Sequence, residues 1–120
     1  MTASLIDQAF KECKAEGRPA LLTYTVAGDP TKKKSLDILK AISKNVDIIE
    51  SGMAFSTPIA DGGDIQTSAH RAIQAGINLN ETFKIIKKFM KTKYPRPVIL
   101  MGYWNLILQF NENKFIKMCK

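Results

Sequence analysis

The stretch that decides the fold is Ile48–Gln66, IIESGMAFSTPIADGGDIQ, in which a short apolar run leads into a loop with two adjacent glycines. Val46–Glu50 has the length and apolar content of a buried strand, and Glu50 closes it. Asp61 follows eleven residues later, directly before the Gly-Gly pair, where the backbone can turn sharply. Parallel α/β proteins carry their chemistry at strand ends and in the loops that follow, so the stretch predicts a two-carboxylate site.

Strand and helix patterns alternate on both sides of this stretch. Apolar residues spaced three and four apart predict an opening helix that Ser4 and Asp7 cap and Gly17 ends. Ala20–Val26 is apolar and β-prone, and a turn at Ala27–Pro30 leads into a second helix. The later elements are a helix that stops at Gly76, a helix from Asn78 and Glu81 to about Lys91, a strand over Val98–Tyr103 and a last helix over Glu112–Met118.

This alternation predicts an α/β fold of about three parallel strands, joined by right-handed crossovers, after an N-terminal helix. Three parallel strands leave two sheet edges unpaired. We therefore expect a partner or more chain to complete the sheet.

Length and composition limit the classes of protein to consider. A chain of 120 residues with 45% hydrophobic content fits one domain or less. No apolar run approaches the roughly 18 residues of a membrane helix, and Asp7 interrupts the segment where a signal peptide would be apolar, which predicts a cytoplasmic protein. Cys13 and Cys119 lie far apart without metal-ligand spacing, so we expect two buried, reduced thiols and no metal site.

The net charge of +7 is compatible with a nucleic acid, an anionic membrane or a phosphorylated substrate as partner. Its distribution disfavours the first two, because Lys84, Lys87, Lys88 and Lys91 occupy the polar face of one predicted helix. Lys32–Lys34 form the one tight cluster, at a helix start where the helix dipole disfavours cations. No feature of the sequence explains that cluster.

Two interpretations are open for most polar residues in these segments. Glu50 is either an acid/base group, partly desolvated by its apolar strand, or a surface carboxylate. Asp61 and Asp29 are either functional or turn residues, and the following Pro30 favours a turn or helix cap for Asp29. His70 lies off the apolar stripe of its helix and is expected to be exposed. Three aromatic residues near strand ends either wall an aromatic pocket or belong to the core: Tyr24, Tyr103 and Trp104.

Four ordered segments carry a match to a known family. They are TYTVAGDP at Thr23–Pro30, IESGMAFSTPIADGGDIQ at Ile49–Gln66, RAIQAGI at Arg71–Ile77 and LMGYWNLI at Leu100–Ile107. Together they resemble the tryptophan synthase alpha-chain family, whose signature has a Glu and Gly at a strand end, then Phe-Ser, Pro and Ala-Asp-Gly. The resemblance implies a (β/α)8 TIM barrel, with residues 1–120 as the N-terminal portion of a single domain and therefore a partial barrel.

The resemblance also implies an activity, the retro-aldol cleavage of indole-3-glycerol phosphate to indole and glyceraldehyde 3-phosphate in tryptophan biosynthesis, without a metal or organic cofactor. Glu50 matches the family's catalytic Glu, which acts as acid and base on the indole ring carbon and the glycerol hydroxyl. Asp61 matches the catalytic Asp that accepts a hydrogen bond from the indole N–H. Four residues match positions that line the family's indole pocket: Tyr24, Ile65, Met101 and Tyr103.

The family further implies a beta-chain partner in an alpha2-beta2 assembly, whose pyridoxal phosphate joins the released indole to serine. In the loop that resembles the partner-contacting segment, Ala54 replaces a proline and Thr57 an acidic residue. Asn105, in a second such segment, is retained. Ser51 replaces the usual aliphatic residue beside the Glu. The departures therefore concern the partner contact and leave both catalytic carboxylates in position.

Family chains have roughly 250 residues, and the match ends after the third β/α unit. The family's phosphate site and the mobile loop that closes over Asp61 have no counterpart here. We expect a polypeptide of these 120 residues alone to have little or no lyase activity, because lost phosphate binding removes orientation. The alternative to an enzyme is a truncated, inactive fragment that at most binds a beta chain or self-associates through its sheet edges.

Overall fold

The computed structural model describes residues 4–120 as alternating helices and strands. In chain order the elements are α1 Leu5–Ala15, β1 Leu22–Val26, α2 Lys32–Ile42, β2 Ile48–Gly52, α3 Gly63–Gln74, α4 Leu79–Met90, β3 Val98–Met101, α5 Trp104–Phe110 and α6 Glu112–Cys119. The strands form one parallel sheet in the order β1-β2-β3. The predicted α/β fold with three parallel strands after an N-terminal helix is confirmed. None of the helices within residues 4–120 is long and apolar enough to cross a membrane.

The register of the strands fixes which side chains share a face of the sheet. Tyr24 of β1 pairs with Glu50 of β2, and Glu50 pairs with Ile99 of β3. Because side chains alternate along a strand, these three lie on one face, which we call the Glu50 face. Ile49 and Val98 pair on the opposite face, the helix face, where Ile49 belongs to the core.

The core lies between the helix face and the helices that cover it. Ile49 is fully buried there together with Leu39 of α2 and Phe89 of α4. Ala69 and Ala72 contribute the small side chains of α3 to the same cluster. Full burial of one large apolar side chain stabilises a fold by about 1.5–3 kcal/mol. This cluster is therefore a main source of the stability that holds the helices on the sheet.

A bidentate ion pair closes the N-terminal end of the sheet. Arg18, which follows α1, donates from its Nη1 and Nη2 atoms to the Asp47 carboxylate at 2.8 and 2.9 Å. The same carboxylate accepts the backbone N–H of Leu21 at 2.8 Å. The hydrogen bonds from Arg18, and then the one from Leu21, hold the pKa of Asp47 well below its usual range. The residue before β2 is thus tied to the end of α1 and to the start of β1.

The helix starts show which polar groups cap them, and the start of α4 also gives Lys32 a partner, Glu81. The predicted capping box at α1 is present. At α4, Asn78 accepts the backbone N–H of Glu81 at 2.9 Å, but the Glu81 carboxylate binds Lys32 of α2 at 3.3 Å and Lys84 at 2.6 Å. Lys32 therefore joins α2 to α4, which gives one member of the Lys32–Lys34 cluster a structural role.

Some predicted boundaries and environments are wrong. β2 runs over Ile48–Gly52, so Glu50 lies in the middle of the strand and not at its end. β3 ends at Met101, and α5 follows where no helix was predicted. The sequence LMGYWNLIL is almost entirely apolar there, so its periodicity does not separate strand from helix, and α5 has no side-chain hydrogen bond at its N-cap. Cys13 is buried as predicted, but Cys119 is exposed because α6 buries none of its described residues.

Ser51 offers a test of the packing on the helix face. It is 1% exposed, and its hydroxyl has no hydrogen-bond partner within residues 4–120. An unpartnered buried hydroxyl costs about 1–3 kcal/mol, so we expect Ser51→Ala to raise the free energy of unfolding by about 1 kcal/mol in a urea titration followed by circular dichroism. Ser35→Ala is the matched control, because the equally buried Ser35 hydroxyl accepts the Gly28 N–H at 3.0 Å, and this variant should lose stability. A loss of stability in Ser51→Ala would contradict the prediction.

The Asp47 ion pair predicts a specific pH dependence of stability. The pKa of Asp47 is lowered by folding, so its contribution is fully present above the pKa of the unfolded chain and is lost as pH falls toward the folded value. Because Arg18 is half-exposed, we expect Asp47→Asn to lower the free energy of unfolding at pH 7 by only about 1–2 kcal/mol. The difference in free energy of unfolding between the original chain and Asp47→Asn should become smaller as pH falls below about 4. Denaturant titrations between pH 7 and pH 3 check this, and a difference independent of pH would exclude the ionised carboxylate as its source.

Candidate active site

Glu50 lies on a face of the sheet that is open within the described part of the chain. The residue is half-buried, and its neighbours on the Glu50 face are Tyr24 and Ile99 in register. Leu22 and Met101 continue the same face and are 40% and 55% exposed. Glu50 is therefore flanked by apolar and aromatic side chains and remains accessible to a ligand, a combination that suits a proton-transferring carboxyl group.

Tyr103 connects the Asp61 carboxylate to the start of α5. Its hydroxyl donates to Asp61 Oδ2 at 3.1 Å and accepts the backbone N–H of Ala60 at 2.9 Å. Its ring packs on Phe55 with a centroid separation of 5.0 Å. One phenol therefore holds three parts of the β2–α3 loop, which comprises residues 53–62, and it fixes the direction of one oxygen of Asp61.

Tyr24 is the group that both carboxylates influence. Burial first, and then the negative charges of Asp61 and Glu50, raise the pKa of the Tyr24 phenol. The phenol therefore stays protonated at neutral pH, and it lies close enough to Glu50 and Asp61 to sense both charges. Its hydroxyl also rests against Gly52, where an added Cβ would collide with it. Gly52 thus provides the space in which the Tyr24 ring lies along the Glu50 face.

Ile65 lies in the first turn of α3, on the side that faces β1. Together with Tyr24, Asp29 and Ser68 it lines a cavity of about 280 Å³ between the strand and the helix. The predicted pocket residues Tyr24 and Ile65 are thus brought together. Met101 is the last residue of β3 and pairs with Gly52, so it lies at the same end of the sheet.

The contacts that Gln66 and Asp29 make were not predicted from the sequence. The Gln66 Nε2 atom donates to the Asp61 carbonyl at 2.9 Å and to the Pro58 carbonyl at 3.3 Å. Asp29 does not cap α2, since Thr31 does so, but forms an ion pair with Arg71 of α3. The Asp29–Arg71 pair spans 42 positions and depends on the packing of α3 against β1, whereas the Gln66 contacts reach back only five and eight positions into the preceding loop. His70 is exposed, as predicted.

The residues that match partner contacts lie on the β2–α3 loop and α5. Ala54 is half-buried against the core, whereas Thr57 and Asn105 are exposed. Ala54 and Leu106 of α5 line one cavity of about 290 Å³, so loop and helix form a continuous surface. Trp104 at the start of α5 is 57% exposed, which excludes it from the core of the described chain.

The arrangement combines two carboxylates with phenol hydroxyls and apolar walls. Such a set can move protons on a flat, largely apolar ligand and accept a hydrogen bond from it. Within residues 4–120, no group of three or more His, Cys, Asp and Glu side chains is placed to hold a metal ion.

Comparisons of sequence and of structure match this chain to proteins of a single family. A family model described as tryptophan synthase alpha chain matches residues 10–120. The tryptophan synthase alpha chain of Pelagibacter ubique (strain HTCC1062) is 61% identical over 117 residues, which cover 98% of this chain and 44% of that protein. The crystal structure of tryptophan synthase subunit alpha from Legionella pneumophila str. Paris matches with a TM-score of 0.94 at 32% identity, over 98% of this chain and 45% of that one.

A third match is a crystal structure of tryptophan synthase from M. tuberculosis in its aminoacrylate-bound form, with a TM-score of 0.90 at 27% identity, over 98% of this chain and 47% of that one. The chain spans less than half the length of the relatives that it matches. Its three strands correspond to part of a TIM barrel, which confirms the predicted fold class.

The role of Tyr103 in holding the β2–α3 loop can be tested directly. Tyr103→Phe keeps the ring contact with Phe55 and removes both hydrogen bonds of the hydroxyl. We expect the Ala60 amide to exchange with solvent about fivefold faster, because one partly exposed hydrogen bond is worth roughly 1 kcal/mol. Hydrogen exchange followed by NMR measures this. Tyr94→Phe is the control, since Tyr94 is 51% exposed and its hydroxyl makes no hydrogen bond within residues 4–120, and equal exchange at Ala60 in both variants would refute the assignment.

Proposed function

The chain belongs to the tryptophan synthase alpha-chain family, and we propose that it supplies the acid/base carboxylates of a carbon–carbon lyase. The proposed reaction is the retro-aldol cleavage of indole-3-glycerol phosphate to indole and glyceraldehyde 3-phosphate. The observation that carries the proposal is the family match over residues 10–120, and the geometry supports it: Glu50 pairs with Tyr24 in register, and the Tyr103 hydroxyl holds the Asp61 carboxylate.

Glu50 is the proposed proton-transfer group. Cleavage requires a proton on the indole ring carbon that bears the glycerol chain, and it requires removal of the proton from the hydroxyl that becomes the aldehyde. A single carboxyl group gives the first proton and takes the second, so it returns to its starting state at the end of the reaction. The half-buried position of Glu50 among Tyr24 and Ile99 supports this role, since apolar neighbours limit competing water.

Asp61 is the proposed partner of the indole N–H. Protonation of the ring carbon leaves positive charge on the ring nitrogen, and a fixed carboxylate beside that nitrogen stabilises the charge as it develops. The hydrogen bond from Tyr103 to Asp61 Oδ2 and the Gln66 contact to the Asp61 carbonyl support the role, because the first restricts the carboxylate and the second restricts the Asp61 backbone before substrate arrives.

The indole ring itself is proposed to lie among Tyr24, Ile65, Met101 and Tyr103. Tyr24 and Ile65 share one cavity wall, and Met101 and Tyr103 come from the end of β3 and the residue before α5. Flat aromatic ligands bind in pockets with apolar walls and few polar groups. No organic cofactor or metal is assigned to this chain.

A beta chain is the proposed partner, in an alpha2-beta2 assembly in which the beta chain carries pyridoxal phosphate. The exposed residues Thr57 and Asn105 and the half-buried Ala54 are the proposed contacts. Ala54 lines a cavity with Leu106 of α5, and Asn105 directly precedes Leu106, which supports this assignment. A cytoplasmic location and the place of residues 1–120 as the N-terminal portion of a single barrel domain both stay predictions.

A second candidate function is a non-catalytic module that binds a beta chain or pairs with itself. It is favoured by the outer edges of β1 and β3, which pair with no other strand in residues 4–120. The coding sequence beyond Lys120 separates the two candidates. Continuation into further strands and Gly-rich phosphate loops supports the enzyme, and an early stop codon supports the module.

The catalytic roles predict the behaviour of two conservative variants. The test protein is a hybrid in which residues 1–120 are followed by the part of the Pelagibacter ubique alpha chain beyond the matched region, so that a full-length chain carries the side chains described here. We expect Glu50→Gln and Asp61→Asn each to lower the rate of indole release from indole-3-glycerol phosphate by at least about 100-fold, with circular dichroism unchanged.

Glu12→Gln and Asp37→Asn are the controls, since both remove an exposed carboxylate from a helix surface. Their rates should stay within about twofold of the unsubstituted hybrid. Near-normal indole release by both active-site variants would refute the assigned roles. Absence of indole release by the unsubstituted hybrid would refute the proposed reaction itself.

A further inference from the structure

Asp29 and Arg71 form a second bidentate ion pair, at the C-terminal end of the sheet. Asp29 lies just after β1, and its carboxylate accepts from Arg71 Nε at 2.8 Å and from Arg71 Nη2 at 2.7 Å. Ser68, one turn before Arg71 on α3, donates its hydroxyl to the same carboxylate. Asp29 is 14% exposed at its side chain, and the hydrogen bonds from Arg71 hold its pKa below the usual value. The carboxylate thus receives three hydrogen bonds from one helix.

These contacts fix α3 both along and around its axis. Residues three apart on a helix are neighbours on its surface, so Ser68 and Arg71 both reach Asp29, and Ile65, three residues before Ser68, lines a cavity with Ser68 and Tyr24. The planar guanidinium binds a carboxylate in one orientation, unlike a point charge. A shift of α3 by a fraction of a turn would break that geometry, and it would move Ile65 away from Tyr24.

The first turn of α3 is in turn bonded to the loop that carries Asp61. Gln66 follows Ile65 directly, and its side-chain amide donates to the carbonyls of Asp61 at 2.9 Å and Pro58 at 3.3 Å. The position of α3 is therefore transmitted to the Asp61 backbone, while Tyr103 holds the Asp61 carboxylate from the other side at 3.1 Å. Asp61 is therefore held by α3 through Gln66 and by the start of α5 through Tyr103.

We propose that Arg71, through Asp29, is a positioning residue that sets the location of Asp61 and Ile65 relative to β1. This inference rests on the proposed function for its effect on turnover, but its effect on the β2–α3 loop does not. Arg71 is half-exposed, so the pair is worth little to global stability and its loss should leave the fold intact. What it determines is the alignment of α3, on which both the Asp61 backbone and one wall of the Tyr24 cavity depend.

The chain contains a matched control for this proposal. Arg18 and Asp47 form the same kind of bidentate pair at the opposite, N-terminal end of the sheet, and Arg18 is exposed to a similar extent. A purely stabilising ion pair would act alike at either end. Comparison of Arg71→Gln with Arg18→Gln therefore separates alignment from general stability.

The first measurement is hydrogen exchange on the protein expressed from the reading frame that contains this chain. We expect Arg71→Gln to speed exchange of the hydrogen-bonded amides of Ile59, Ala60, Asp61 and Gln66 about three- to tenfold, and Arg18→Gln to leave them unchanged. Arg71→Lys, which keeps the charge but not the planar fork, should have an intermediate effect. Unchanged exchange in Arg71→Gln, or an equal rise in Arg18→Gln, would overturn the proposal.

Ser68→Ala is a second, milder test in case the Arg71 variants do not fold, because it removes only one of the three hydrogen bonds to Asp29. It should raise exchange at the same amides by a smaller factor, and no change there would also count against the proposal.

The second measurement is indole release by the hybrid protein. Arg71→Gln should lower kcat about tenfold with KM changed less than threefold, because misaligned groups act on a substrate that is still bound. Arg18→Gln should leave both constants unchanged. If the unsubstituted hybrid releases no indole while exchange responds as expected, the proposed reaction fails and the positioning of Asp61 stands.

Discussion

The parallel register of β2 between β1 and β3 is the constraint on which the rest of the structure depends. It sets Glu50 between Tyr24 and Ile99 on one face and sends Ile49 into the core on the other. A slip of one residue would exchange these faces, with Glu50 buried under the helices and Ile49 exposed. The fully buried Ile49 and the Asp47 contacts at the strand start both oppose such a slip, so core packing and site chemistry are specified by the same pairing.

The two ends of the sheet use the same kind of ion pair for different purposes. At the N-terminal end, Asp47 joins three chain segments that have no part in the candidate site. At the C-terminal end, Asp29 joins β1 to the helix whose first turn adjoins Asp61. Parallel α/β folds generally separate stability and chemistry in this way, because loops at one end of the strands can vary while the other end is kept. The Arg18–Asp47 and Arg71–Asp29 pairs are nearly identical in geometry. They differ in position, and so only the second adjoins the candidate site.

Sequence patterns that span only a few residues were sufficient to predict most of the helices and strands. The spacing of apolar residues and the caps at Ser4 and Asn78 predicted the helices that they begin. The same patterns failed where apolar residues run without interruption, so α5 was missed, and Glu50 was assigned to a strand end because Ser51 and Gly52 have weak strand propensity.

The candidate site was predictable in its residues and not in its contacts. The ordered motif singled out Glu50 and Asp61, whereas the Tyr103 contact spans 42 positions along the chain and the Asp29 contact also spans 42. Contacts of that range follow from how α3 and α5 pack against the sheet, and local spacing contains no information about such packing. This is why the role of Arg71 was not predicted, whereas Gln66, whose contacts reach back only five and eight positions, was missed because no cap or turn rule covers its side chain.

The contact between Tyr24 and Gly52 makes the evolutionary histories of two strands dependent on each other. A side chain at position 52 has room only if the aromatic ring at position 24 becomes smaller or turns away, because the phenol already fills the space where a Cβ would stand. A smaller residue at position 24 together with an apolar side chain at position 52 would shift apolar surface from β1 to β2. The two positions are therefore coupled, and the dimensions of this part of the pocket depend on both strands together.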